Sequence, residues 1–129
     1  MYTVLRFESP TENAEALALL GEELNEIRQG TFSGLDHVKG RFSCDVCDLD
    51  DWESHLGAIE ESMVLFESIL ATAISRGLEV EFDVAVEPED CEKKLYVSTN
   101  LDPNLLRKLA DQKVGLTFSY YVPQHPKAD

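Results

Sequence analysis

A chain of 129 residues with 25 Asp and Glu against 11 Lys and Arg carries a formal net charge of −14. DNA binding runs on Lys and Arg displacing counterions from phosphates, so a field of this sign leaves neither direct nucleic-acid binding nor attachment to an anionic membrane surface to be expected. The length fits a single domain, 1–129, and a hydrophobic share of 43 % arranged in periodic runs argues against an intrinsically disordered acidic tail.

Met1 leads straight into Tyr2-Thr3-Val4-Leu5 without a basic region or a long apolar segment, so no secretory signal or membrane span is expected and the chain reads as cytoplasmic. Three cysteines, Cys44, Cys47 and Cys91, are an odd number in a chain with room for its own core, which predicts reduced thiols and no disulfide framework.

Tyr2 to Glu8 is rich in strand formers, with Leu5 and Phe7 on one face and Val4 and Arg6 on the other. Ser9-Pro10-Thr11 interrupts it, and Thr11 can cap a helix through Ala14, Leu17, Ala18, Leu20 and Leu24 that Gly21 is expected to shorten. Gln29 to Gly40, with Gly30, Gly34 and Gly40, reads as a loop or an irregular hairpin. Arg41 to Leu49 alternates as a second strand, Phe42, Cys44 and Val46 opposite Ser43, Asp45 and Cys47.

Asp50 or Asp51 then caps a long helix in which Trp52, Leu56, Ile59, Met63, Phe66, Leu70 and Ala73 recur before Gly77 ends it. Leu78 to Val86 alternates with Val80, Phe82, Val84 and Val86 on one face and Glu79, Glu81 and Asp83 on the other, the pattern of a sheet with one wet face. After a charged turn at Pro88 to Lys93, Lys94 to Thr99 is expected to pair antiparallel with that strand. Asp102-Pro103 starts a short helix through Leu105, Leu106, Leu109 and Ala110, and Val114 to Val122 is the last strand, Leu116, Phe118 and Tyr120 opposite Thr117, Ser119 and Tyr121. A tail at 123–129 is expected to be flexible.

The expected fold is α+β: an antiparallel-rich sheet of about five strands in the order β-α-β-α-β-β-α-β, helices packed on one face. The other face is left partly open, with Glu79, Glu81, Asp83, Asp45, Ser119 and Tyr121 on it.

The Trp-led helix from Trp52, the strand Val80 to Val86, Leu95-Tyr96-Val97-Ser98, Leu105-Leu106-Arg107-Lys108-Leu109-Ala110 and Gly115-Leu116-Thr117-Phe118-Ser119-Tyr120-Tyr121 resemble the domain-of-unknown-function family 4279. Leu19-Leu20-Gly21 followed by Gly30 is similar to that family's leucine-glycine segment. The resemblance implies an α+β fold of small bacterial proteins and supplies no catalytic residue.

Cys44-Asp45-Val46-Cys47 has the spacing of a zinc knuckle or a redox dithiol, but both uses need a turn or helix start, and an alternating strand points the thiols to opposite faces. No second such pair exists, so no metal and no cofactor is expected; Cys91 or His37 would complete a site only if folding happened to bring it near. His37 beside Asp36 could activate Cys44, yet a nucleophilic site also needs an orienting group and an oxyanion donor. His55 is assigned to the polar side of its helix and His125 to the tail, both solvated.

Asp48-Leu49-Asp50-Asp51-Trp52-Glu53 lacks the glycine of a calcium loop and fits helix capping better. Paired acids such as Glu60-Glu61 and Glu89-Asp90 arise by composition, and Gly30, Gly34 and Gly40 lack a phosphate-cradle pattern.

No reaction is specified, and the expectation is a binding protein, not an enzyme. Its partner-binding residues are read as Glu79, Glu81, Asp83, Glu87, Glu89, Asp90, Asp45 and Tyr121, facing a basic protein. An immunity protein that occludes the cleft of a basic toxin or effector is the concrete version. A phage-type inhibitor imitating nucleic-acid charge, a metal- or thiol-dependent module on Cys44 and Cys47, and a self-associating domain are the alternatives.

Overall fold

The computed structural model describes residues 1–9, 14–27, 35–38, 40–87 and 100–120. In chain order they form β1 (Tyr2–Glu8), α1 (Ala14–Ile27), β2 (Leu35–Val38), β3 (Arg41–Cys47), α2 (Trp52–Leu65), α3 (Glu67–Ser75), β4 (Glu79–Val86), α4 (Pro103–Asp111) and β5 (Gly115–Tyr120). The class is α+β. The described strands make one mixed sheet in the order β2-β3-β1-β4-β5, antiparallel except where β4 meets β5. No helix among the described residues is long and apolar enough to cross a membrane.

Alternation explains the layers. Leu5 and Phe7 on β1, Phe42 and Cys44 on β3, and Val80, Phe82 and Val84 on β4 are buried from one side of the sheet. Leu17 and Leu20 of α1, Ile59 and Met63 of α2, Ile69, Leu70 and Ala73 of α3, and Leu105 and Leu109 of α4 join them in one core. Across the sheet centre Leu5 sits opposite Phe82 and Phe7 opposite Val80.

The sheet is mixed where an antiparallel-rich one was expected. Of the loop or irregular hairpin expected at Gln29 to Gly40, the hairpin is found: a short strand, β2, pairs antiparallel with β3, Leu35 with Cys44 and Val38 with Arg41. β4 has β1 on one edge and β5 on the other. The segment 94–99, like the turn at 88–93 and the tail 123–129, lies outside the described residues. β5 runs parallel to β4 because α4 lies between them in the chain and supplies a crossover, which parallel neighbours require.

The helices differ too. The single helix expected from Trp52 to Gly77 is two, separated at Phe66, whose ψ of 18° leaves the helical region while its ring stays in the core. Its apolar positions repeat every seven residues, and a straight helix drifts by about 20° per such repeat. A break at the buried Phe66 re-aims the second half at the sheet. Gly21 does not shorten α1, which runs through it; a Cβ there would lie 3.1 Å from the Phe42 ring, so the glycine sets how closely α1 approaches β3.

α3 and α4 end alike. The amides of Gly77 and Leu78 bond to the carbonyls of Ile74 and Ala73, and those of Lys113 and Val114 to Ala110 and Leu109, two Schellman motifs. The residue in the left-handed position is Gly77 (φ 83°) in one and Lys113 (φ 58°) in the other. A side chain in that region is disfavoured by about 1 kcal/mol. Lys113→Gly is expected to raise stability by about 0.5–1 kcal/mol and Gly77→Ala to lower it by about 1 kcal/mol, both read from thermal unfolding.

Candidate interaction surface

The face away from the helices is built from the other half of each alternation. Register places Arg6 of β1 opposite Glu81 of β4 and Ser43 of β3, and Val4 opposite Asp83 and Asp45. Arg6 Nη1 donates to Glu81 Oε1 at 2.9 Å and to Asp83 Oδ2 at 3.0 Å. The second oxygen of each carboxylate accepts from β5: Thr117 Oγ1 donates to Glu81 at 2.6 Å and Ser119 Oγ to Asp83 at 2.8 Å. Asp83 is only 6 % exposed.

A buried carboxylate is tolerated where it is paired and its lone pairs are filled, and both conditions are met. Burial works against the Arg6 charge, but the hydrogen bonds and attraction of Glu81 and Asp83 outweigh it and raise its pKa. Glu81 and Asp83 thus carry one charge between them once Arg6 is counted.

Of the other sequence-predicted residues, Glu79 is exposed and lies opposite Glu8, which accepts from Arg41 Nε at 2.6 Å. Asp45 is exposed on β3, and Glu87 lies half-buried 3.8 Å from the amino group of Met1. Glu89, Asp90 and Tyr121 lie outside the described residues. Glu8, Glu79 and Glu81 line an open groove of about 370 Å³, with Ile74, Leu78 and Lys113 completing its wall.

Cys44 is buried on the core face with its thiol toward the Leu5 carbonyl at 3.7 Å, and Cys47 is half-buried. In the β2–β3 register His37 falls opposite Phe42 and Asp36 opposite Ser43, and Cys91 lies outside the described residues. Among the described residues no group of three His, Cys, Asp or Glu side chains is placed to hold a metal ion.

The Asp48 to Glu53 run resolves into a cap. Asp51 accepts from the Ser54 amide and from the Ser54 hydroxyl, each at 2.8 Å. The amide first, then the hydroxyl, holds the Asp51 carboxyl below its usual range.

His55 corrects the sequence reading: it is 0 % exposed, not solvated. Its Nε2 donates to the Leu49 carbonyl at 2.5 Å, which leaves Nδ1 to accept from the Thr3 hydroxyl at 2.7 Å in the neutral ring. It ties the start of α2 to β1. The signal was present, since position 55 is three after Trp52 and four before Ile59, on the apolar stripe.

Compared with known protein families, with curated proteins and with solved structures, the chain matches none.

Two outcomes test this surface. Arg6→Met is expected to destabilise by about 3 kcal/mol, because it strands two carboxylates, and adding Glu81→Gln with Asp83→Asn should restore most of the loss in denaturant titration. Asp51→Ala should destabilise at neutral pH. A carboxyl with a depressed folded pKa stabilises above its unfolded value and loses that contribution as pH falls through the folded one, so the gap to the parent closes below about pH 4.

Proposed function

We propose that this chain is an acidic binding protein for a basic protein partner, and that an immunity protein neutralising a toxin or effector is its concrete form. The observation that carries the reading is how the few cations are placed. Among the described residues four of the six Lys and Arg side chains, Arg6, Arg41, Arg76 and Lys108, are each engaged in an ion pair within the chain and Arg107 and Lys113 stand exposed outside those pairs, as do the more numerous acids Asp45, Asp48, Asp50, Glu53 and Glu79. Carboxylates left facing water raise the encounter rate with a cationic surface, and their effect is screened by salt.

On this reading binding is occlusion without chemistry, in a cytoplasmic bacterial protein that takes no cofactor. Glu79 and Asp45 would meet partner cations directly, whereas Glu81 and Asp83 would act through the Arg6 bridge. Kinship with the domain-of-unknown-function family 4279 belongs to the same proposal.

Capture from the native host at low salt, followed by calorimetry and stopped-flow mixing with the purified captured protein, is the test. The expected result is a 1:1 complex with a basic protein whose association slows about tenfold or more from low to physiological salt. A partner displaced competitively by DNA would identify charge imitation as the mode. Salt-insensitive association, or no basic protein at all, would overturn the reading.

A further inference from the structure

A second groove, of about 450 Å³, opens between α2 and α4. Its floor is Trp52, Leu56 and Leu105, and Glu53, Glu60 and Asp102 stand around it. Trp52, Leu56 and Glu60 follow one another at intervals of four along α2, with Glu53 and Gly57 beside them, so the groove is one stripe of that helix. Phe118 of β5 stands against the half-buried indole, ring centroids 5.9 Å apart, and fixes its position from the sheet side.

Gly57 is the informative residue. It sits in the middle of α2, where glycine is less favourable than alanine, and it is exposed. A Cβ built on it would meet no atom of the described residues within 4 Å, so packing among those residues does not require a glycine there. Gly21 shows the contrast, because its missing Cβ is used by Phe42. A mid-helix glycine whose missing Cβ no described residue uses, in the wall of a groove floored by apolar side chains, leaves room for an approach to the helix.

We infer that the groove takes an Arg or Lys side chain of the partner. The inference rests on the proposal of a basic partner and says where its anchoring cation is held. An indole face flanked by carboxylates is the arrangement that attracts a guanidinium or ammonium, through the ring quadrupole and through charge. Glu60 at this rim is already paired with Lys108, Nζ to Oε1 at 2.8 Å, so Glu53 and Asp102 are its acids outside any ion pair among the described residues. The groove beside Glu8, Glu79 and Glu81 is the weaker candidate, because it has no aromatic ring among its lining residues, Glu8 and Glu81 are already paired with Arg41 and Arg6, and Lys113 stands in its wall.

Trp52 is the chain's one tryptophan, so intrinsic emission of the whole protein reports on this groove. The probe is the peptide acetyl-Gly-Arg-Leu-Arg-Gly-amide, with the same peptide carrying Glu for Arg as control. The expected result is a saturable change in emission that added salt weakens and the control does not produce, with affinity about tenfold lower in Gly57→Leu and in Glu53→Lys. Gly57→Ala, which favours the helix, should raise the thermal midpoint by a few degrees while weakening the peptide, a divergence that a purely structural role would not give. Binding seen by calorimetry without an emission change, or undiminished in Gly57→Leu and Glu53→Lys, would overturn the groove and leave the acidic-surface reading standing. No salt-dependent binding of either the Arg peptide or the captured partner would overturn both.

Discussion

Three acids at alternate positions of β4 place like charges on one face of a strand that is paired on both edges, and the innermost of them, Asp83, is nearly closed to water. Such a strand is stable only if a cation meets it across the neighbouring strand, and Arg6 does so with a single terminal nitrogen shared between Glu81 and Asp83. Because side chains alternate with a period of two, sliding β1 by one residue would remove Arg6 from this face and Leu5 and Phe7 from the core together. The polar face and the apolar face therefore enforce the same register. Thr117 and Ser119 extend the constraint to β5, whose hydroxyls fill the remaining carboxylate oxygens.

The elements that were legible in the sequence are those written as long periodic runs: β1, β3, β4, the helices around Leu17, Ile59 and Leu105, and the last strand. What stayed illegible is mostly about neighbours. Alternation in Leu78 to Val86 tells which residues share a face, but not that the strands beside it are β1 and β5, since a strand's own period says nothing of its neighbours. Leu35–Val38 is four residues with an Asp and a His in it, too short to show a period. The break at Phe66 is invisible to a count of apolar positions because the seven-residue repeat continues through it. His55 was misread for a different reason, its side-chain type having been weighed above its position.

The same division runs through the interaction surface. Glu79, Glu81 and Asp83 were rightly placed on one face by alternation, and Arg6 was placed opposite Leu5 and Phe7 by the same rule. That these two faces are one face is a statement about the pairing of β1 with β4, across 75 residues of chain, and periodicity carries no information about it. An acidic strand read alone looks like a bare patch. Paired, its centre is a closed polar network and its free charge moves outward to Glu79 and Asp45.

The placement of the scarce cations gives the charge distribution its direction. Arg6 joins β1 to β4, Arg41 joins β3 to Glu8 of β1, Arg76 at the end of α3 joins Glu23 of α1, and Lys108 of α4 joins Glu60 of α2. Each bridges two elements. The exposed pairs contribute little individually, on the order of 1 kcal/mol or less, so they mark geometry more than they supply stability. Asp45, Asp48, Asp50, Glu53 and Glu79 join no such pair among the described residues, and their mutual repulsion is a small penalty that solvent screens. A chain under selection for stability alone would lower that penalty with a few lysines and would fill Gly57 with alanine. That it keeps a net charge of −14, and beside its one tryptophan a glycine against which no described residue packs, is the physical reason to look outside the chain for what both of them meet.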